Sequence, residues 1–341
     1  MYEQFFGFRE RPFDLTPNPR FVVMTAAHRE ALSNLEYGIV SRKGITMLLG
    51  EAGTGKTTVI RTAVERQPRR VWCVHVPNPA LTRDEFVEML AVRFELSDAA
   101  RTSKAAFLLE LEALLRRRRA ADETTVLIID EAQSLPHDLL EEIRLLVNIE
   151  THEDKLLTVI IAGQPELSQR LNDKALRQLK QRVALRCELG ALGLPETAAY
   201  LAGRIRAAGG VGAQVFTREA VTLIHERSKG IPRTINVIAD NALLSAFAVS
   251  ERPVTRQTVL DVCRDFDLEL AADAGTDVQT PVAAIVTAGD AIAETTAPQR
   301  LLSSLASTRA PAADAGAREA SDSNIGEAPA RKRRRFSFFR G

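Results

Sequence analysis

Cysteine is scarce in this chain. The three that occur in 341 residues, Cys73, Cys187 and Cys263, lie far apart with no C-x-x-C pair, which argues against a disulfide framework and a cysteine zinc site. The five histidines, His28, His75, His137, His152 and His225, show no ligand spacing either, so no histidine-held metal is expected. No apolar run reaches the length of a membrane span; residues 281–293 are apolar but short and hold Asp290. The first residues, Met1-Tyr2-Glu3-Gln4, carry an acid and no basic stretch, unlike a secretory signal. An excess of cations is missing too. Net charge is +1, but residues 331–341 contain one Lys, five Arg and no acid, which leaves −5 for residues 1–330. A mildly acidic body argues against a general nucleic-acid-binding surface. No internal repeat is present. These absences point to a cytosolic protein whose contact with any membrane would be peripheral.

What is present is more specific. Gly50-Glu51-Ala52-Gly53-Thr54-Gly55-Lys56-Thr57 fits the pattern G-x-x-x-x-G-K-[ST] and comes directly after the apolar run Ile45-Thr46-Met47-Leu48-Leu49. A strand that enters such a loop and leaves it as a helix holds nucleotide phosphates: the glycines let backbone N–H groups curl around the oxygens, and the helix adds its positive dipole end. Lys56 would pair with the β- and γ-phosphates of ATP, and the Thr57 hydroxyl would ligate Mg2+. Thr58-Val59-Ile60-Arg61-Thr62-Ala63-Val64 continues as the helix. A second apolar run, Val126-Leu127-Ile128-Ile129, ends in Asp130-Glu131. A continuous apolar run of this kind is a strand buried on both faces, as in a parallel sheet, and its C-terminal end lies where ligands bind. Asp130 would hold Mg2+ directly or through water, and Glu131 would polarise the attacking water as general base.

Strands are predicted at 45–49, 70–76, 125–130, 156–162 and 183–189. Helices are predicted near 56–66, 83–95, 103–120, 136–150 and 174–181. That alternation implies a parallel α/β sheet with helices on both faces. After Leu194-Pro195 the strands stop, and four helices occur near 195–208, 217–228, 233–248 and 255–265. Residues 1–43 are set apart by aromatics (Phe5, Phe6, Phe8, Phe13) and prolines (Pro12, Pro17, Pro19); the prolines predict an extended segment packing through its aromatics rather than a helix. Thr25 then supplies an N-cap for a helix reaching Val40. The resulting division is an entry segment, 1–43; an α/β core, 44–190; a helical domain, 191–268; a disordered linker, 269–330, poor in large apolar residues; and a basic-aromatic tail, 331–341. In the tail, five adjacent cations beside Phe336, Phe338 and Phe339 suit reversible contact with an anionic membrane surface, although nucleic acid attracts the same charges and a solvated tail needs neither.

Other residues offer chemistry less specifically. Gln164 closes the run Val159-Ile160-Ile161-Ala162-Gly163 and would emerge beside the phosphate loop if that strand lies between the other two, there to orient the lytic water or touch the γ-phosphate; otherwise it is a turn residue before Pro165. The basic stretch Leu176-Arg177-Gln178-Leu179-Lys180-Gln181-Arg182 is either a solvated helix face or the source of an arginine that reaches a neighbouring subunit's γ-phosphate. Arg233, after Gly230-Ile231-Pro232, either folds over the nucleotide or caps solvent. Arg116-Arg117-Arg118-Arg119 reads as cations favoured at a helix C-terminus.

Taken together, these residues resemble the AAA+ ATPases, and more closely the branch typified by general secretion pathway protein A, with relatives in type IV pilus and exosortase-linked polysaccharide systems. The resemblance runs from Tyr2-Glu3-Gln4-Phe5-Phe6-Gly7-Phe8 and Pro12-Phe13-Asp14-Leu15-Thr16-Pro17-Asn18-Pro19-Arg20-Phe21 through His28-Arg29-Glu30-Ala31-Leu32 and Leu35-Glu36-Tyr37-Gly38-Ile39. It continues in Asp130-Glu131-Ala132-Gln133, Gly163-Gln164-Pro165-Glu166-Leu167 and Leu176-Arg177-Gln178-Leu179 to Gly230-Ile231-Pro232-Arg233-Thr234-Ile235-Asn236. It implies an αβα P-loop core with a five-stranded sheet, an all-α lid, and ATP and Mg2+ bound by the Walker A loop, Gly50 to Thr58, and by Asp130. It places Glu131 as the Walker B base, Gln164 at sensor 1, Arg182 at the arginine finger with Arg177 as the alternative, and Arg233 at sensor 2. The entry segment would pack near adenine, and the chain would form a homo-oligomeric ring, such as a hexamer, with its sites between subunits. The partners implied are the proteins of a secretion, pilus or polysaccharide assembly system. Secretion-type members also carry a transmembrane helix and a peptidoglycan-binding region after the ATPase, neither of which is read here, so the cytosolic relatives match this length better. Two other functions stay open: a DNA-linked ATPase of the transposition-helper type, and a nucleotide-binding scaffold with negligible hydrolysis.

Overall fold

Five strands form one parallel sheet in the computed structural model, which describes residues 1–14, 23–67, 70–77, 81–152, 154–266 and 268, all within one compact unit. The strands are β1 (Ile45–Gly50), β2 (Val71–Val76), β3 (Thr124–Ile129), β4 (Leu157–Gly163) and β5 (Val183–Leu189). Their order across the sheet is β2-β3-β4-β1-β5, so β4 does lie between the phosphate-loop strand and the acidic strand. The three central strands are buried along their whole length, as near-continuous apolar runs require when both faces are covered. Alternate side chains divide between two cores: Met47, Leu127, Val159 and Ile161 face one side, and Leu48, Val126, Ile128 and Ile160 the other. β5 is an edge strand, and its sequence says so, because exposed Ala184, Arg186 and Glu188 alternate with Cys187 and Leu189, which are buried.

The first face is covered by α4 (Arg83–Arg93), α6 (Lys104–Ala120), α7 (His137–Val147), α8 (Glu166–Arg170) and α9 (Arg177–Arg182), with the short α5 (Asp98–Thr102) joining α4 to α6; α1 (Tyr2–Phe6), α2 (Ala26–Val40) and α3 (Lys56–Glu65) precede them in the chain. Phe86, Phe107, Leu111, Leu139 and Ile143 are fully buried in that layer, each contributing about 1.5–3 kcal/mol from removal of apolar surface from water. The second face is covered by α2 and α3 through Leu32, Leu35, Ile39, Val59 and Ile60. Gly38 lets α2 lie close to the sheet, since a Cβ there would run into Thr46.

Beyond the sheet, α10 (Leu194–Ala207), α11 (Arg218–Ser228), α12 (Pro232–Ala248) and α13 (Arg256–Asp265) form a separate helical core. The chain start belongs to it. Tyr2, Phe6, Phe8 and Phe13 are buried among these helices. Tyr2 donates to Asp240, the Arg204 guanidinium donates to the Pro12 carbonyl at 2.6 Å, and Arg9 N–H donates to the Ala208 carbonyl at 2.7 Å. The segment grouped as 1–43 therefore divides: residues 1–14 pack in the helical domain and α2 on the sheet.

Several elements differ from expectation. The chain start is not wholly extended: α1 forms ahead of the first proline and ends at Gly7 in the left-handed conformation (φ 77°). Pro12 lies beyond that turn and restricts only its own φ and the residue before it. The helix expected over 103–120 is preceded by α5; Ser97 is the N-cap of α5 and Ser103 that of α6. The helix expected over 174–181 is a 3-10 turn, Lys174–Leu176, succeeded by α9. The short α8 is too brief to show periodicity. The linker 269–330 and the tail 331–341 lie outside the described residues.

Candidate nucleotide site

The C-terminal ends of β1, β3 and β4 lie side by side, which brings four expected groups together. β1 ends at Gly50 and α3 begins at Lys56, with Gly53 (φ 84°) and Gly55 (φ 98°) in the left-handed region that permits the tight return. Gly55 is the N-cap of α3 and offers no side-chain cap, so the first-turn N–H groups remain available to an anion. Lys56 is buried, its ammonium donating to the Gly50 carbonyl at 2.7 Å and the Glu51 carbonyl at 3.0 Å. Burial lowers its pKa, opposed by the nearby carboxylates of Glu131, Asp130 and Glu51. The Thr57 hydroxyl donates to Asp130 Oδ2 at 2.7 Å, so the two oxygens expected at Mg2+ already share one point. Glu51 and Ala52 are exposed at the loop's outer bend, and Thr54 is fully buried, its hydroxyl closing the loop on the Glu51 carbonyl at 2.8 Å. Thr58 lies in the first turn of α3.

Asp130 is itself oriented: its Oδ1 accepts from the Glu131 N–H at 3.0 Å. Glu131 takes the left-handed conformation (φ 51°, ψ 36°), uncommon for a residue with a Cβ. The turn throws the chain sharply away from β3. Gln164 leaves β4 beside these carboxylates. Arg233, in the first turn of α12, reaches the loop by its backbone, donating its N–H to the Gly53 carbonyl at 3.3 Å. A Cβ on Gly53 would lie 2.6 Å from the Arg233 Cβ. The helical domain therefore rests on the phosphate loop, and glycine at 53 is required for that approach as well as for its φ.

Arg182 is elsewhere. Val183 pairs with Ile45 and Leu189 with Gly50, so exposed Arg182 sits at the opposite end of the sheet from its own phosphate loop, about 20 Å away at the ordinary rise of a strand. Exposed Arg177 is on the same short helix.

His28 is a site residue that its sequence did not reveal. It is buried beneath the loop, Nε2 3.0 Å from the Thr54 carbonyl and Nδ1 2.7 Å from the Thr25 hydroxyl. A carbonyl only accepts, so Nε2 carries the proton and Nδ1 accepts from Thr25. A Cβ on Gly55 would meet the same ring at 3.3 Å. Burial lowers the pKa of His28, with the Thr54 bond and Glu196 acting the other way. The unfolded chain takes up a proton below about pH 6.5 while folded His28 resists it, so its contribution to stability is full above that value and is lost as pH falls. His75 and His225 shift in the same direction through burial. The expected result is that His28→Gln shows a smaller loss of stability than wild type between pH 7 and 5, measured by urea unfolding; identical pH dependence of the two proteins removes this role.

The donor set fits a nucleotide with Mg2+: an anion-accepting helix start, a buried ammonium, and a hydroxyl and carboxylate converging on one point. Among the described residues no cluster of three or more His, Cys, Asp or Glu side chains suits another metal, and no helix is long and apolar enough to cross a membrane.

Residues 39–171 match the AAA domain family. General secretion pathway protein A of Aeromonas hydrophila is 43% identical over 249 residues, 73% of this chain and 45% of that protein. The Mu-like prophage FluMu DNA transposition protein B of Haemophilus influenzae is 26% identical over 153 residues, 45% of this chain and 48% of that protein. The chain thus spans a little under half the length of either relative. Among solved structures, the Aeropyrum pernix ORC2 protein in its ADPNP-ADP complexes superposes with a TM-score of 0.58 at 19% identity, covering 78% of this chain and 73% of that one, a likeness of fold. With the Walker-type loop, the paired carboxylates, the sheet order and the helical lid in place, the chain has the AAA+ P-loop fold, carries an AAA domain over residues 39–171 and is a homologue of general secretion pathway protein A.

Proposed function

We propose that this chain binds and hydrolyses ATP, as a ring-forming oligomer, to drive or regulate assembly of a bacterial envelope machine. The observation carrying the chemistry is the convergence of Lys56, Thr57, Asp130 and Glu131 at one sheet edge, with Thr57 on Asp130 at 2.7 Å. In this proposal Gly50 to Thr58 wraps the phosphates, and Lys56 pairs with the β- and γ-oxygens. Thr57 and Asp130 would hold Mg2+, which supplies neutralisation of phosphate charge when bound. Glu131 takes the proton from the attacking water, Gln164 orients that water or the γ-phosphate, and Arg233 reports nucleotide state to the lid on which it sits. The start of α2, joined to the loop through His28, marks the adenine side. Arg182 serves the neighbouring subunit.

Similarity to a general secretion pathway protein over 73% of the chain supports an envelope client. A DNA-linked ATPase of the transposition-helper type is the second reading, favoured by the weaker similarity to a DNA transposition protein. The two separate in one experiment. With purified protein, ATP turnover should be unchanged by added duplex DNA, and a chromosomal Glu131→Gln allele in the source bacterium should arrest export or surface assembly. Strong stimulation by DNA with normal export supports the transposition-type reading instead.

A further inference from the structure

Gln133 has no role in the chemistry above, yet it touches both strand ends that flank the site. We propose that Gln133 is a positioning residue for hydrolysis, its side-chain amide locking the Glu131 carboxylate to the backbone of Gln164 so that the base keeps a fixed relation to sensor 1. This rests on the assignment of Glu131 as base.

The two ends of the amide do opposite work. Nε2 donates to Glu131 Oε2 at 2.6 Å, and Oε1 accepts from the Gln164 N–H at 3.1 Å. A carboxylate accepts and an N–H donates, so these partners fix which end of the amide is which. Glu131 leaves β3 and Gln164 leaves β4, neighbouring strands in the sheet. One side chain therefore ties their ends together where main-chain pairing has stopped.

The surroundings hold Gln133 in that pose. The Arg170 guanidinium, from α8, donates to the Gln133 carbonyl and, at 2.6 Å, to the Leu135 carbonyl. The Ser134 hydroxyl donates to the Glu131 carbonyl at 2.6 Å. Gly163 leaves room for the amide: a Cβ there would lie 2.9 Å from Leu167 Cδ2 and 3.0 Å from Gln133 Oε1. A base must stay within hydrogen-bond reach of the proton it removes, and a misplacement of about 1 Å costs on the order of 10²-fold in rate. Glu131, on a left-handed turn at the end of its strand, gains that constraint from Gln133.

The test uses the full chain with four variants. Gln133→Ala should lower kcat about 10- to 100-fold while affinity for a fluorescent ATP analogue stays within about threefold, and hydrogen exchange at the Gln164 amide, read by NMR, should accelerate. Gln133→Glu keeps an acceptor for that amide but sets a carboxylate against Glu131; exchange protection should return while kcat stays low. Gly163→Ala, which removes no polar group, should lower kcat in the direction of Gln133→Ala by displacing the amide. Glu131→Gln is measured alongside. If Glu131→Gln is inactive and Gln133→Ala turns over at the wild-type rate, the positioning role falls and the base assignment stands. A Gln133→Ala protein that loses ATP affinity in proportion to kcat also overturns it, because that is the mark of a general structural role. If Glu131→Gln hydrolyses ATP at the wild-type rate, the base assignment fails first.

Discussion

Glu131→Gln should keep ATP bound and stop turning it over. The substitution preserves the size of the side chain and its place on the left-handed turn, but an amide cannot accept the proton from water. General-base catalysis of this kind contributes roughly 10²–10⁴-fold, and kcat should fall by that factor with nucleotide affinity unchanged. Lys56→Ala should lose the nucleotide itself. The buried ammonium bonds to two loop carbonyls and is the cation placed to meet the phosphates. Removing one partner of a buried charged pair costs about 2–5 kcal/mol, a loss of roughly 30- to 4,000-fold in affinity. Equilibrium binding of a fluorescent ATP analogue and phosphate release, measured on both variants, decide the point. A Glu131→Gln protein with wild-type turnover sinks the base assignment, and a Lys56→Ala protein that binds normally sinks the phosphate site.

Arg182→Ala should abolish hydrolysis while sparing ATP binding, through a site on another subunit. Strand register places Arg182 at the far end of the sheet from its own phosphate loop, so any catalytic effect has to be exerted on a neighbour. Arginines acting this way contribute about 10³–10⁵ in rate. Added to wild-type protein, Arg182→Ala should poison mixed oligomers. Mixed with Glu131→Gln, it should recover part of the activity, since some interfaces then combine an intact base with an intact arginine. Arg177→Ala is the control that separates the two candidates on α9. Full activity of a monomer at all concentrations is incompatible with an arginine acting between subunits.

The glycine loop and the paired carboxylates of the candidate site could be picked out in the sequence because their signals are local. The loop from Gly50 to Thr57 needs its glycines at fixed offsets, and the apolar runs before it and before Asp130 are continuous because both faces of their strands are covered. The edge position of β5 came from the sheet order, and the alternation along Val183–Leu189 fits it. The contacts not read from the sequence are those of His28, Gln133 and Arg170, single polar side chains that each have a partner 26, 31 or 35 positions away, and no spacing rule reports such contacts.

The amino-acid order by itself determined the α/β core, the phosphate loop, the paired carboxylates and the switch to helices after Pro195, because periodicity and glycine placement act within a few residues. Only the tertiary structure decided that β4 separates β1 from β3, that the aromatic chain start fills the core of the helical domain, that the lid rests on Gly53, and that Arg182 faces away from its own site. Each of these depends on which distant surfaces exclude water together, and burial of apolar surface carries no directional code along the chain.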